Sequence, residues 1–194
     1  MKKGTLIRNI ITSVFILELC MGAFFLSFLS NLQVDVGGGN TLVFKNIVWG
    51  CRQITLNGEA HTLYELLGFN SSGFAVLPGI GLLMILFASI AAAIITWVVK
   101  KPFAKWILLG LALVILGGAI MQFFSYSAFI RSLVNQMAKA NGITDKETIK
   151  QAYEAYKQQF DQSNPKYAVA IVSGVFGILG ALGVAIPKLI PEKK

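Results

Sequence analysis

The chain has 194 residues, of which 55% are hydrophobic and only 13% are charged, and its formal net charge is +8. An ordinary soluble domain carries about 25% charged residues, so this composition excludes that class and indicates a membrane protein. A basic balance in a soluble protein would suggest nucleic acid, whereas membrane proteins keep Lys and Arg beside their cytoplasmic side. We therefore expect the lipid bilayer as a partner, and no nucleic acid.

Four stretches contain the roughly 20 mostly apolar residues that a transmembrane helix needs. They are residues 7–29, 74–99, 103–128 and 167–187. The first has a longer apolar core than a signal peptide and no A-x-A-like cleavage site, which favours an uncleaved helix. The sequence thus predicts an all-α membrane protein: a four-transmembrane-helix bundle in one integral membrane domain, 1–194. Its longer loops are 30–73 and 129–166.

Lys and Arg are concentrated next to the predicted spans, at the amino terminus, in the 100–105 turn and at the carboxyl terminus. The two longer loops carry similar numbers of cations and acids. The positive-inside rule therefore places both termini and the 100–105 turn in the cytoplasm, and both longer loops outside. We expect a multi-pass protein of a cell membrane, and of a bacterial one because the chain is compact and poor in cysteine.

The first outer loop has the pattern of a small sheet. Apolar and polar residues alternate at 32–36, 41–49 and 54–56, which predicts strands, and Asn57-Gly58 predicts a tight hairpin. We expect a small antiparallel sheet of about three strands. The Gly37-Gly38-Gly39 run is interpreted as a turn, because a phosphate-binding loop would need a following helix.

The second outer loop has the pattern of a helical hairpin. Its first helix extends the third span as far as Asn141-Gly142, a stop signal. Thr144 and Glu147 have the spacing of a capping box, which predicts the start of the second helix.

Aromatic residues form a stripe on that second helix. Tyr153, Tyr156 and Phe160 recur at helical spacing on one face. We expect this stripe to pack against the sheet or the first helix of the hairpin. The alternative is a partner surface, to which Trp49 of the first loop would also belong.

Small residues recur every four positions in the fourth span, at Ser173, Gly177, Ala181 and Ala185. Close packing of small residues drives helix association in lipid, where there is little hydrophobic driving force. We interpret this face as packing within one bundle, with homodimerisation as the alternative.

Glu18 lies near the middle of the first span, where an ionised carboxylate costs at least about 2.5 kcal/mol. One interpretation is a neutral acid that bonds to another helix, with Gln122, Ser125, Thr96 and Ser173 as candidates by depth. Gln122 is the preferred partner in a possible intramembrane polar site. The other interpretations are a proton or cation site, and a contact with a partner protein.

Residues 48–51 of the first loop read Val-Trp-Gly-Cys. Together with four spans, cytoplasmic termini and a strand-rich first loop, they resemble the claudin-like tetraspan arrangement. In that family the loop carries a Gly-Leu-Trp cluster and two paired cysteines. Here Gly50 follows Trp49, and Cys51 is the single cysteine of the loop, while Cys20 lies in the first span. We expect no disulfide between the two.

The sequence shows no nucleophile–base set, metal cluster or cofactor motif, so we expect neither an enzyme nor a cofactor. The favoured function is an accessory or scaffold protein that engages another membrane protein, or a homo-oligomer, through its outer loops and small-residue helix faces. An alternative is a channel or transporter subunit that uses Glu18 as a proton or cation site. A second alternative is a claudin-like tetraspan cell-surface protein.

Overall fold

The computed structural model describes residues 3–49, 51, 53–69, 76–99, 103–163 and 168–189. The chain divides into two compact units. The first, here called the apolar unit, comprises Met1–Leu26, Ile80–Phe123 and Ile171–Lys194; the second, the mixed unit, comprises Ser27–Gly79 and Phe124–Ala170. The predicted 100–105 turn is described only from residue 103. Gly50 and the terminal cations at positions 2, 193 and 194 lie outside the described residues.

Helices dominate the described residues, and one small antiparallel sheet accompanies them. The helices are α1 Lys3–Leu26, α2 Leu63–Leu67, α3 Val76–Val98, α4 Ala104–Phe123, α5 Ser125–Ala140, α6 Lys146–Ser163 and α7 Ala168–Leu189. The strands are β1 Leu32–Gly37, β2 Asn40–Lys45, β3 Gln53–Leu56 and β4 Glu59–Thr62.

Within the described residues, three helical segments are long and apolar enough to cross a membrane, namely Leu6–Leu29, Pro78–Val98 and Ala104–Phe123. The described apolar stretch of α7, Ile171–Ile186, is shorter. The third segment also ends earlier than predicted, because α4 stops at Phe123 instead of continuing to residue 128. Phe124 adopts φ −91° and ψ −3°, which interrupts the regular helix before α5 begins.

Glycine allows the closest helix contact of the apolar unit. A Cβ atom added to Gly81 of α3 would lie 2.8 Å from the carbonyl oxygen of Gly118 in α4, and a Cβ on Gly118 would clash with the carbonyl of Gly81. The two backbones therefore touch directly. A second close contact joins α7 to α4, where a Cβ on Gly177 would lie 2.7 Å from the Cβ of Ala119.

Hydrogen bonds from polar side chains join α1 to α3 and to α7. The Asn9 amide donates to the carbonyl of Thr96 at 3.3 Å, and the Trp97 indole donates to the Ser13 hydroxyl at 2.8 Å, so both bonds join α1 to α3. On α7, the Ser173 hydroxyl donates to the main chain of α1 at 3.0 Å. Hydrogen bonds between membrane helices contribute about 0.6 kcal/mol each on average. These contacts supplement the close packing of small residues.

The sheet of the mixed unit has the strand order β1-β2-β3-β4, with every neighbouring pair antiparallel. Gly38-Gly39 and Asn57-Gly58 form the tight turns of its two outer hairpins, and all four residues have positive φ, from 52° to 89°. The glycine run is thus a hairpin turn. The predicted strand 41–49 is too long, because Asn46 turns the chain with φ 53° and a 3₁₀ turn, Ile47–Trp49, follows.

Aromatic rings form the core of the mixed unit. Phe44 of β2 lies 5.3 Å from Phe129 of α5 and 5.8 Å from Phe160 of α6, measured between ring centroids. The rings of Phe129 and Phe160 are themselves 6.3 Å apart and perpendicular. All three side chains are buried, together with Leu32 and Ile54 on the same face of the sheet. The expectation that the stripe of α6 packs against the sheet and α5 is confirmed at Phe160.

Both edges of the sheet are partly closed. Along β1, the Gln159 amide of α6 donates to the carbonyl of Asp35 at 3.0 Å. At the end of β4, the backbone N–H of Thr62 donates to the Glu65 carboxylate at 2.8 Å, as part of the capping box that opens α2. Edge groups that are already bonded cannot pair with a strand of another chain.

The cap of α6 lies one residue later than predicted. The helix begins at Lys146, and the backbone N–H of Thr148 donates to the Asp145 carboxylate at 2.9 Å. Asp145 therefore takes the position expected for Thr144, since a carboxylate also favours the positive end of the helix dipole. Hydrogen bonds from the side chain and backbone of Thr148 lower the pKa of Asp145.

We expect Gly177→Leu to destabilise the apolar unit by about 1–3 kcal/mol, because the new side chain must displace Ala119. Thermal unfolding in detergent micelles, followed by circular dichroism, measures this change. Val175→Leu is the matched control, because Val175 is 41% exposed on the same helix. Equal melting temperatures for the two variants would show that the Gly177 face is not packed.

We expect Phe160→Ala to lower the free energy of unfolding of the mixed unit by about 3–5 kcal/mol, through the cavity that it leaves. Hydrogen exchange of the β1 to β4 amides, measured by mass spectrometry, reports this change. Tyr64→Ala, at a side chain that is 63% exposed, should leave exchange nearly unchanged. Unchanged protection in Phe160→Ala would contradict the assignment of the core.

Candidate functional site

Glu18 lies at the centre of an apolar segment and on its exposed surface. It follows the start of the Leu6–Leu29 segment by about 18 Å of helix rise. The residue is exposed, and no hydrogen bond or ion pair joins its carboxyl to another described residue. Gln122 of α4, in contrast, is fully buried. The structure therefore does not bring together the two residues of the predicted polar site.

The other candidate partners of Glu18 are also engaged elsewhere. The Thr96 hydroxyl donates to the carbonyl of Ala92 in its own helix at 2.8 Å. The Ser173 hydroxyl bonds to the main chain of α1, and Ser125 belongs to the mixed unit. Among the described residues, Glu18 is thus not a polar link between helices of its own unit.

The small-residue face of α7 lies against the other helices of the apolar unit. Ser173, Gly177 and Ala181 are buried, and Ala185 is half-buried. Their neighbours include α1 for Ser173 and α4 for Gly177. This placement agrees with packing inside one bundle, so this face is not available for homodimerisation in the folded chain.

Trp49 is half-buried next to the end of an apolar segment. Its ring stacks on Phe28 with centroids 5.6 Å apart, and its indole N–H donates to the Ser27 hydroxyl at 2.9 Å. Phe28 itself is 47% exposed. Trp is enriched at the lipid–water boundary of membrane proteins, because its ring is apolar with one polar N–H.

The aromatic stripe of α6 contributes little exposed surface. Phe160 is only 1% exposed, so it is not available to a partner in the folded unit. Tyr153 is half-buried with the Arg131 guanidinium 5.8 Å from its ring centroid. Tyr156 lines a cavity between α5 and α6. The stripe mainly holds the hairpin together.

Described residues of the mixed unit line two hollows. The cavity between α5 and α6 has a volume of about 200 Å³, which is below the range of about 300–1,000 Å³ typical of small-molecule sites. The other, of about 620 Å³, is wide open to solvent and its described lining comes from α6 alone. That lining is mostly polar and carries both signs of charge: Glu154, Ala155, Lys157, Gln158, Asp161 and Gln162. We call it the α6 face.

One end of the α6 face is tied to α5 by a contact that sequence patterns do not reveal. The Tyr126 hydroxyl donates to the Asp161 carboxylate at 2.6 Å. Burial, followed by the bond and the charge of Asp161, raises the pKa of Tyr126, so the phenol stays protonated at neutral pH. The two residues lie 35 positions apart, and neither belongs to a motif.

Among the described residues of the mixed unit, His61 and Cys51 are candidate reactive groups. His61 Nδ1, at the end of β4, lies 3.8 Å from the carboxylate of Glu65, four residues further on, and Glu65 also caps α2. Burial raises the pKa of Cys51 to about 12, so its thiol is protonated at neutral pH. Both Cys20 and Cys51 are free. In the described part of the chain, no three His, Cys, Asp or Glu residues lie close enough to hold a metal ion.

Comparison with protein-family models gives no match for this chain. Comparisons with curated proteins and with solved structures give no match either. The resemblance to the claudin-like arrangement therefore concerns membrane topology alone. The features that bear on function are the three apolar segments, the mixed unit and the exposed position of Glu18.

Proposed function

We propose that this chain is a multi-pass accessory or scaffold protein of a cell membrane, and that its mixed unit engages a partner outside the cytoplasm. The three apolar segments support the membrane location. In this proposal α7 is a fourth span. Its 22 residues give about 33 Å of helix, enough for a hydrocarbon core of about 30 Å.

The proposed orientation rests on charge. Four spans leave both termini and the 100–105 turn on one side, which is where most of the cations adjacent to the spans lie. The mixed unit, in which positive and negative charges nearly balance, is then on the other side. We propose a bacterial membrane, because the chain is compact and poor in cysteine.

One observation supports the accessory role: the mixed unit has its own aromatic core and also presents a charged surface. Phe44, Phe129 and Phe160 are used for folding, so they are not a binding surface. The α6 face is left exposed, with two acids and one lysine on a wide and shallow hollow. A wide, open surface suits a polypeptide better than a small molecule, which needs an enclosed and mostly apolar pocket.

The two alternatives have weaker support. A channel or transporter would need Glu18 beside a wet path, but the residue is on the exposed surface of α1. A claudin-like protein would need a second cysteine to pair with Cys51, which is free and buried. The four-strand sheet of the first loop is the feature that favours the claudin-like alternative.

The orientation predicts which positions an impermeant thiol reagent can reach in intact cells. In a Cys20→Ser, Cys51→Ser background, Gln151→Cys on α6 should be labelled and Lys105→Cys at the start of α4 should be labelled only after the cells are opened. Both positions are exposed in the structure, so reactivity reports their side of the membrane. The reverse pattern would overturn the orientation.

The accessory role predicts that the chain, extracted with its lipids into polymer nanodiscs, co-purifies with another membrane protein at a fixed ratio. Glu154→Lys on the α6 face should weaken that complex about tenfold or more, the effect of about 1.4 kcal/mol of lost charge complementarity. Glu59→Lys on β4 is the matched control and should have little effect.

A chain that purifies alone, or that responds equally to both substitutions, would contradict the proposal. Proton or cation flux through the purified chain in liposomes would instead support the channel alternative. Both measurements use the whole 194-residue chain, so loss of folding can be checked by its melting temperature.

A further inference from the structure

The exposed surface of α1 is apolar except at Glu18. The residues that share one stripe with it are Ile7, Ile11, Val14, Met21 and Phe25. With Glu18 included, the spacing of these residues alternates between four and three positions. This is the repeat of side chains along the seam between two parallel helices. Four of these side chains are 45–60% exposed, and Met21 is half-buried. We call this surface the Glu18 stripe.

The Glu18 stripe is not complete within one chain. A carboxyl group in the middle of a hydrocarbon layer needs a hydrogen-bond partner, whichever protonation state it adopts. The cations in the described apolar segments are Arg8, about 15 Å along α1, and Lys105, next to the end of its segment. Neither reaches the depth of Glu18. No described residue of the chain thus supplies the partner of Glu18, and a second molecule can supply it.

We propose that a second copy of this chain supplies the partner, with α1 packed in parallel against α1 of the other copy and the two Glu18 carboxyls bonded to each other. Two copies with the same orientation in a membrane are related by a two-fold axis along the membrane normal. That axis places identical residues at identical depth. A protonated carboxyl has one donor and a remaining acceptor, so two such groups satisfy each other.

The same geometry explains why a single polar residue interrupts the stripe. A polar group at one seam position costs stability but fixes the register and the number of helices, since any shift leaves it unpaired in lipid. The inference rests on the proposed membrane location of α1. It does not depend on the partner of the α6 face, so either can fail without the other.

Cysteine crosslinking in lipid vesicles tests the seam with Glu18 intact. In the Cys20→Ser, Cys51→Ser background, oxidation should convert Phe25→Cys into a covalent dimer. Leu113→Cys on α4, at a side chain that is 69% exposed, is the control and should stay monomeric. Crosslinking at Leu113→Cys but not at Phe25→Cys would overturn the proposal, because the copies would then meet through another face.

Substitution of Glu18 tests the paired carboxyls. Single-molecule counting of labelled chains across a dilution series in lipid gives the dimer dissociation constant. Glu18→Gln retains a donor and an acceptor and should change that constant by less than about threefold. Glu18→Leu should weaken the dimer by about three- to thirtyfold, the range expected for loss of one interhelical hydrogen bond.

The remaining outcomes are also decisive. A chain that is monomeric at every lipid dilution would overturn the proposal, as would a Glu18→Leu dimer as stable as the original. If Glu18→Leu releases a different membrane protein and leaves the dimer intact, the Glu18 stripe binds a foreign helix and the two copies meet through another surface. Unchanged thermal unfolding of both variants shows that the bundle itself remains folded.

Discussion

In the membrane that its three apolar segments could cross, the apolar unit depends on contact between small residues, because lipid surrounds apolar side chains as favourably as a neighbouring helix does. Gly81 and Gly118 bring two backbones together, and Gly177 does the same beside Ala119. Dispersion contacts and short polar bonds then replace the hydrophobic effect. The mixed unit depends on the opposite condition: its phenylalanine core is stable only if water lies outside. One chain thus combines two folding principles, each suited to a different solvent.

Much of the fold was predictable where the sequence carries a local signal. The apolar segments, the Asn57-Gly58 turn and the hairpin of α5 and α6 follow from length, turn chemistry and helical spacing. Strand β4, Glu59–Thr62, was not expected, since it lacks the alternation typical of strands and is held by its turn and its pairing with β3. The break at Phe124 also has no signal, as neither Gly nor Pro is present there.

The sequence predicts which residue is the candidate site, but not whether its side chain faces another helix or the outside of the bundle. The sequence identifies Glu18 as an acid within an apolar run, and depth alone suggests Gln122 as its partner. Which side of a helix faces lipid depends on how the other helices pack. The sequence of a helix that is apolar all round has no amphipathic pattern that would predict this side. In the structure Gln122 is buried and Glu18 is exposed, so a bond between them is replaced by a proposed bond from Glu18 to a second molecule.

The hydrogen bond between Gln159 and Asp35 joins residues that are 124 positions apart. At about 5–20 residues per second, a ribosome makes α6 about 6–25 s after β1. Throughout that interval the sheet has an open edge, and its Phe44 face lacks the two rings that later cover it. Open edges and bare apolar faces are what make folding intermediates aggregate. The nascent chain is therefore most exposed to aggregation while α3 and α4 are being synthesised, and slower translation through them prolongs that exposure.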